Sequence, residues 1–173
     1  QHVCPSEDYT DVDQSLWYHE GVDYVIENSL MTGYGNGIFK PNTDTTRAMI
    51  TVMLWRLNGS PVVNYLLDFE DVEEGKWYTE AIRWAKSEGV AEGYGNGFFG
   101  TNDAITREQM VTMLFRFSGD EHAAYDLSAY ADVDDISYYA VDAFEWAVAK
   151  GYISGMSASI LAPQGTAIRA QAA

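Results

Sequence analysis

Apolar residues recur at helical spacing along residues 77–88, the clearest stretch of this kind in the chain. The predicted apolar face consists of Trp77, Ala81, Ile82, Trp84 and Ala85. A period of about 3.6 residues, with charged residues between the apolar ones, is typical of an amphipathic helix packed on a core. Gly89 follows directly and suits the left-handed conformation that often ends a helix.

A second helix is predicted to begin after Thr106 and to end before Gly119. Thr106 and Gln109 have the spacing of a capping box, in which two groups at the helix start satisfy each other's hydrogen bonds. The predicted buried side holds Met110, Val111, Met113, Leu114, Phe115 and Phe117. Between the two helices, Gly-Tyr-Gly-Asn-Gly at residues 93–97 cannot continue a helix and supplies positions that tolerate positive φ. Phe99 is then expected to pin this loop to the core.

The same order of elements occurs three times. When the sequence is shifted by 60 residues, residues 11–59 align with residues 71–119 without a gap, and a looser third copy follows from Asp132. Such a period indicates a repeat architecture. The predicted organisation is an N-terminal tail at residues 1–8, repeats at residues 9–59, 69–119 and 130–173, and linkers at residues 60–68 and 120–129.

One pair of short helices cannot bury its apolar face alone, and the short linkers force neighbouring repeats into contact. We therefore expect an all-α domain in which three helix–loop–helix units pack with pseudo-threefold symmetry. The third unit departs from the pattern. Residues 155–159 replace the glycine run, Ile168 stands where the capping threonine belongs, and the second helix is expected to be nearly absent.

Composition limits the classes of partner. Hydrophobic residues make up 47% of the chain, while 26 acidic residues against 10 basic ones give a formal charge of −16. This charge opposes non-specific binding to nucleic acid and to anionic membranes, although solubility explains it equally well. No apolar run reaches membrane-spanning length, so we expect no membrane insertion. The chain opens with Gln-His-Val-Cys rather than with a signal peptide, which indicates a mature form or a fragment.

Residues that commonly bind zinc are few and badly spaced. Cys4 is the only cysteine, which excludes an internal disulfide and a cysteine-based zinc cage. We expect it to be an idle residue of the tail, with a tethering or inter-chain thiol as the alternative. His2, His19 and His122 have no partners in the other repeats, and His19 is expected to be an ordinary surface residue.

Patterns for catalysis and for calcium binding are weak. The chain has none of the motifs of serine hydrolases, zinc proteases or phosphate-binding loops. Acidic residues are so frequent that some pair will always resemble a glycosidase dyad. The acidic clusters at residues 11–13 and 132–135 could bind calcium, but they lack the closing glutamate of an EF-hand loop. We therefore expect neither an enzyme nor a site for a metal or a cofactor.

An arginine recurs beside the start of each predicted second helix, as Arg47, Arg107 and Arg169. A helix N-terminus presents unpaired N–H groups and partial positive charge. A guanidinium added there would complete a small anion pocket. A salt bridge between repeats would recur in the same way, and spacing alone does not separate the two roles.

Four aromatic residues near such pockets could pack on the C–H face of a sugar ring: Trp17, Trp77, Tyr34 and Tyr94. For the two tryptophans a core position is the stronger expectation, because they begin the apolar faces of the first helices. The two tyrosines lie between glycines of a loop, so we expect them to be exposed.

In register, these features resemble three S-layer homology (SLH) repeats. The pattern of Phe-x-Asp-Val, Trp, Ala-Ile, Gly-x-Gly, Phe and Ile-Thr-Arg extends from about Tyr9 to the end and is best matched at residues 69–109. The resemblance implies a secreted protein of the bacterial cell wall and cell surface. Its three repeats would form a pseudo-trimer whose grooves hold secondary cell-wall polysaccharide, often capped with pyruvylated N-acetylmannosamine.

The resemblance also implies roles for the recurring residues. The arginines would bind the pyruvyl carboxylate at a helix start, and the glycine loops, with Gly33 and Gly93, would line the grooves. The recurring aspartates would shape the grooves and bind sugar hydroxyls: these are Asp11, Asp71 and Asp132. Because the third repeat is irregular, we expect functional grooves at Arg47 and Arg107 and doubt the groove at Arg169.

The resulting prediction is a non-catalytic anchoring module that binds an anionic, pyruvylated polysaccharide in grooves between repeats. The alternative is a structural protein that self-associates through the faces of its repeats and uses the arginines in salt bridges. A groove based on an arginine would favour the first reading. Exposed aromatic residues on an open face beside the short third repeat would favour the second.

Overall fold

The computed structural model describes residues 4–173; residues 1–3 of the predicted tail, with His2, lie outside the described part. The fold is all-α, as the sequence predicts. Its α-helices are α1 (His19–Glu27), α2 (Arg47–Leu57), α3 (Thr79–Ser87), α4 (Arg107–Ser118), α5 (Val141–Ala149) and α6 (Arg169–Ala172). Short 3₁₀ helices cover Pro5–Asp8, Val133–Asp135 and Tyr138–Ala140. No helix within residues 4–173 has the length and apolar character needed to cross a membrane.

The helix boundaries agree with the sequence prediction at the capped ends of α4 and differ at the start of α3. Thr106 caps α4 through the predicted capping box with Gln109, and Gly119 ends the helix with a left-handed φ of 65°. Helix α3 begins at Thr79, two residues after the predicted start. Trp77 therefore precedes the helix and is not part of its apolar face.

The three repeats meet in a closed ring of backbone hydrogen bonds just before their second helices. The N–H of Thr45 donates to the carbonyl of Ala167, that of Ala167 to Ile105, and that of Ile105 to Thr45, at 2.9, 3.0 and 2.8 Å. Isolated antiparallel bridges flank the ring, and within residues 4–173 no longer strand forms. The ring produces the predicted pseudo-threefold arrangement.

Each second helix packs on the first helix of the next repeat. Helix α2 packs against α3, and α4 packs against α5. The backbone of Ala173, after α6, lies against Gly21 of α1, so the third repeat contacts the first. Phe39 and Phe99 are fully buried and pin their glycine loops to the core, as the sequence predicts. This interlocked packing brings side chains of different repeats together between the helices.

Candidate functional site

Each recurring arginine crosses from the start of its own second helix to the glycine loop of the next repeat. Arg47 donates from Nε to the carbonyl oxygen of Phe99 at 2.9 Å and from Nη2 to that of Glu92 at 2.7 Å. The equivalent contacts are those of Arg107 with Leu161 and Ser154, and of Arg169 with Phe39 and Thr32. The contacts of Arg169 thus join the third repeat to the first.

The interpretation of these arginines as partners in salt bridges is wrong for the described residues. No ion pair within residues 4–173 involves Arg47, Arg107 or Arg169. All three are buried, and burial lowers the pKa of each guanidinium, although arginine stays charged at neutral pH. Their Nη1 groups donate to no backbone or carboxylate oxygen in this part of the chain. Each guanidinium therefore keeps donors available to an anion.

The recurring aspartates brace the same loops from within their own repeats. Asp71 accepts the backbone N–H groups of residues 99–101 at 2.7, 2.8 and 2.8 Å. Asp11 and Asp132 accept two loop N–H groups each. Burial alone would raise the pKa of Asp71 and Asp132, but these hydrogen bonds outweigh it and hold both pKa values below the usual range. Both oxygens of each carboxylate are thus directed at loop amides.

Phe99 joins these two sets of contacts. Its N–H donates to Asp71, its carbonyl accepts from Arg47, and its side chain is fully buried. Phe39 and Leu161 occupy the same position in the first and third repeats. Each loop is therefore held by two repeats at once, and its carbonyl groups orient the guanidinium.

Each arginine lines a cavity to which all three repeats contribute. Groove 1, of about 370 Å³, is lined by Arg47, Gly93, Tyr94, Gln109, Arg116 and Tyr139 among others. Groove 2, of about 420 Å³, is lined by Arg107, Gly155, Met156, Gln171 and Trp17 among others. Groove 3, of about 180 Å³, is lined by Arg169, Gly33, Tyr34, Met49, Arg56 and Trp77 among others.

A loop tyrosine stacks on the guanidinium in grooves 1 and 3. The Cζ atom of Arg47 lies 4.8 Å from the ring centroid of Tyr94, and that of Arg169 lies 5.0 Å from the ring centroid of Tyr34. These distances are typical of cation–π contacts. Tyr34 and Tyr94 remain 48% and 44% exposed, which confirms the exposure predicted for them. In groove 2, Met156 occupies the corresponding loop position.

Grooves 1 and 3 each contain a second arginine. Arg116 lines groove 1 and Arg56 lines groove 3, where Arg56 donates to the carbonyl of Leu30 at 3.2 Å. Groove 1 contains the exposed Glu92 as well, whereas groove 3 has Thr32 at that position. Groove 3 therefore has the less compensated positive charge.

The composition of the grooves changes the order that the sequence suggested. From the sequence alone, the irregular third repeat favours Arg47 and Arg107 over Arg169. Each arginine instead contacts the next repeat, so the irregular loop of the third repeat lies in groove 2. Arg169 contacts the regular loop of the first repeat, so a loop tyrosine lies in grooves 1 and 3.

The two tryptophans expected in the core are exposed. Trp17 and Trp77 expose 71% and 56% of their surface and line grooves 2 and 3. They lie in turns before α1 and α3, where the periodicity of the helix does not apply. The buried tryptophans are Trp84 and Trp146, inside α3 and α5.

Gly33 and Gly93 are required by the close approach of the chain. A Cβ atom at Gly93 would lie 2.6 Å from the carbonyl oxygen of Phe98 and still closer to the ring of Phe69. Gly33 has equivalent neighbours in the first repeat. A side chain at either position would push the loop away from the groove.

Tyr139 lines groove 1, although the sequence did not single it out as a site residue. The repeat alignment could have found it, because Tyr139 aligns with Trp17 and Trp77. Its hydroxyl donates to Oε1 of the buried Glu108 at 2.9 Å. Burial, together with this carboxylate, raises the pKa of Tyr139 to about 12. The hydroxyl therefore stays protonated at neutral pH. Arg56 and Arg116 were also missed, although the shift of 60 residues aligns them with each other.

Comparison with known proteins agrees with the three repeats. The model of the S-layer homology domain matches residues 8–48, 68–111 and 129–173. A cellulosome-anchoring protein of Acetivibrio thermocellus is 30% identical over 149 residues, which cover 82% of this chain and 33% of that protein. An amylopullulanase of Thermoanaerobacterium thermosulfurigenes is 30% identical over 168 residues, 91% of this chain and 9% of the enzyme.

An S-layer protein of Bacillus thuringiensis subsp. finitimus is 30% identical over 106 residues, 61% of this chain and 13% of that protein. The chain thus spans between 9% and 33% of the length of these three relatives. Each of the three matched segments overlaps one structural repeat, and together they cover most of the chain. The chain therefore belongs to the S-layer homology domain family.

Proposed function

We propose that this chain is a non-catalytic module that anchors a bacterial surface protein by binding an anionic secondary cell-wall polysaccharide in grooves 1 and 3. S-layer homology domains anchor surface proteins to the cell wall, and relatives of this chain include S-layer proteins and a cellulosome-anchoring protein. One observation carries the finer proposal. In each groove two loop carbonyls hold a buried guanidinium that no carboxylate pairs with among residues 4–173.

The ligand that fits these grooves is a sugar that bears a carboxylate, such as a pyruvyl ketal. A carboxylate pairs bidentately with a guanidinium, and this contact is strong when the guanidinium is desolvated. The ring of the sugar would pack on the exposed tyrosine, and Arg56 or Arg116 would add positive charge. Because the loop contacts already fix Arg47 and Arg169, little entropy is lost when the ligand binds.

The enzyme names of some relatives do not carry over to this chain. The chain spans 9% of the amylopullulanase and 15% of an exoglucanase of Acetivibrio thermocellus. Grooves 1 and 3 are lined by arginines and aromatic rings, whereas glycoside hydrolysis needs two carboxyl groups facing each other. We therefore assign the grooves to binding.

Co-sedimentation with purified bacterial sacculi tests the proposal. We expect the protein to pellet with walls that keep their secondary polymer and to stay in solution once the polymer has been removed chemically. Added soluble polymer fragments should compete, and fragments without pyruvyl groups should compete less. Equal pelleting with intact and stripped walls would contradict polysaccharide binding.

Self-association is the second candidate function, and the surface of groove 2 favours it. Trp17, Tyr152 and Met156 line this groove and are exposed. Sedimentation velocity over a wide range of protein concentration tests this role. We expect a mass that rises with concentration if the repeat faces associate, and a Trp17→Ala variant should then remain monomeric. A monomer at all concentrations would remove this candidate.

A further inference from the structure

Away from the three grooves, three potential metal ligands converge on one point beside α1. Sγ of Cys4 lies 3.0 Å from Nε2 of His19 and 3.1 Å from Oδ2 of Asp23, and Nε2 and Oδ2 are 3.1 Å apart. Among residues 4–173, this is the one group of three or more Cys, His, Asp or Glu whose ligand atoms meet in this way. Cys4 is therefore not isolated in a tail, and His19 is not an ordinary surface residue.

Local structure holds the three side chains in place. His19 and Asp23 lie one helical turn apart on α1, so they share one face of the helix. The 3₁₀ helix Pro5–Asp8 packs beside this face, where the N–H of the buried Ser6 donates to Oδ1 of Asp23 at 2.8 Å. This bond orients the carboxylate and leaves Oδ2 directed at Cys4 and His19. Metal ligands are commonly oriented by such outer hydrogen bonds.

The arrangement differs from that of a catalytic triad. In a triad of thiol, imidazole and carboxylate, the carboxylate holds the ring nitrogen opposite the one that faces the thiol. Here Cys4 and Asp23 both approach Nε2 of His19, so the imidazole does not lie between them. Three donor atoms that face one point are suited to a shared cation.

We propose that Cys4, His19 and Asp23 bind one Zn²⁺ ion, with the fourth position left to water or another ligand. Thiolate, imidazole and carboxylate are preferred zinc ligands, at about 2.0 to 2.3 Å from the metal. The separations of about 3 Å between the donor atoms place them on one side of a tetrahedral ion after a small expansion. Calcium and magnesium favour oxygen ligands and are disfavoured by the thiolate. The ion would tie the N-terminal 3₁₀ helix to the first repeat.

Because Cys4 is the only cysteine, its alkylation reports directly on the site. In reduced, metal-free protein we expect one equivalent of Zn²⁺ to slow the reaction of Cys4 with iodoacetamide by about tenfold or more, because the bound thiolate is no longer a free nucleophile. Calcium and magnesium should not protect it. Co²⁺ bound in place of zinc should produce thiolate-to-cobalt charge-transfer absorption.

Variants separate the site from adventitious binding. Asp23→Asn should weaken zinc affinity by about tenfold or more, measured by competition with a chromogenic chelator. His122→Gln removes a histidine that contacts Glu145 elsewhere on the surface and should leave the affinity unchanged. The wild-type alkylation experiment remains decisive if Asp23→Asn fails to fold. Equal alkylation with and without Zn²⁺, cobalt spectra without thiolate absorption, or equal zinc affinity in a folded Asp23→Asn variant would overturn the proposal.

Discussion

Replacing Arg47 and Arg169 together by alanine is expected to weaken binding to polymer-bearing cell walls by about 30-fold or more. Removing one partner of a buried charged contact costs ~2 kcal/mol or more in binding free energy, which corresponds to about 30-fold in affinity. Both arginines are buried in grooves that also contain a tyrosine and a second arginine. Co-sedimentation isotherms with sacculi measure the change.

Arg107→Ala is the matched control for this experiment. Arg107 makes the same two bonds to loop carbonyls, but it lies in groove 2, where Met156 replaces the tyrosine. We expect Arg107→Ala to destabilise the fold about as much as Arg47→Ala, measured by urea denaturation, and to reduce wall binding much less. Equal losses of binding in these two single variants would contradict the assignment to grooves 1 and 3.

Asp71→Asn is expected to lower the free energy of unfolding by about 2 to 3 kcal/mol at pH 7. Asp71 accepts three backbone N–H groups of the second glycine loop, and hydrogen bonds to a charged acceptor are stronger than neutral ones. The amide of asparagine would turn an NH₂ group toward some of these donors. Urea denaturation followed by circular dichroism measures the loss, and the exposed Asp134→Asn should change stability by no more than about 0.5 kcal/mol.

The lowered pKa of Asp71 predicts how the loss of unfolding free energy in Asp71→Asn depends on pH. Burial opposes ionisation of Asp71, whereas the hydrogen bonds from the loop N–H groups favour it. The hydrogen bonds outweigh burial, so the pKa of Asp71 is lowered in the folded protein. A group with a lowered folded pKa stabilises the fold above its unfolded value, about 3.9, and loses this contribution as the pH falls through its folded value. The difference between wild type and Asp71→Asn should be constant near neutral pH and shrink below about pH 4. A difference in unfolding free energy that persists unchanged in acid would contradict a stabilising role of the ionised Asp71 carboxylate.

Local patterns predicted much of the fold. The cap at Thr106, the helix end at Gly119 and the positive φ values in the loop at residues 93–97 all follow from interactions between residues a few positions apart. Trp77 was misplaced because apolar periodicity does not mark where a helix begins. In the turn before α3, that side chain faces a groove and not the core.

The candidate site was only partly predictable. Recurrence identified Arg47, Arg107 and Arg169, because a repeated residue at a helix start is visible without any structure. Recurrence did not reveal the partner of each arginine, since every repeat offers a similar loop. The ring of backbone bonds resolves this choice in favour of the next repeat. Groove 3 therefore joins residues from opposite ends of the chain.

By itself, the sequence determined the threefold repeat, the all-α class, the helix caps and the recurring arginines, because these depend on composition and on short-range contacts. Only the tertiary structure decided which loop each arginine contacts, and that Cys4 meets His19 and Asp23. These features join residues that are far apart in the chain, up to 137 positions for the bond from Arg169 to Thr32. The pairs that form the grooves exist because three similar units close into a ring. The Cys4 cluster exists because the 3₁₀ helix Pro5–Asp8 packs beside α1, 15 to 19 positions along the chain. No local stretch of sequence expresses either constraint.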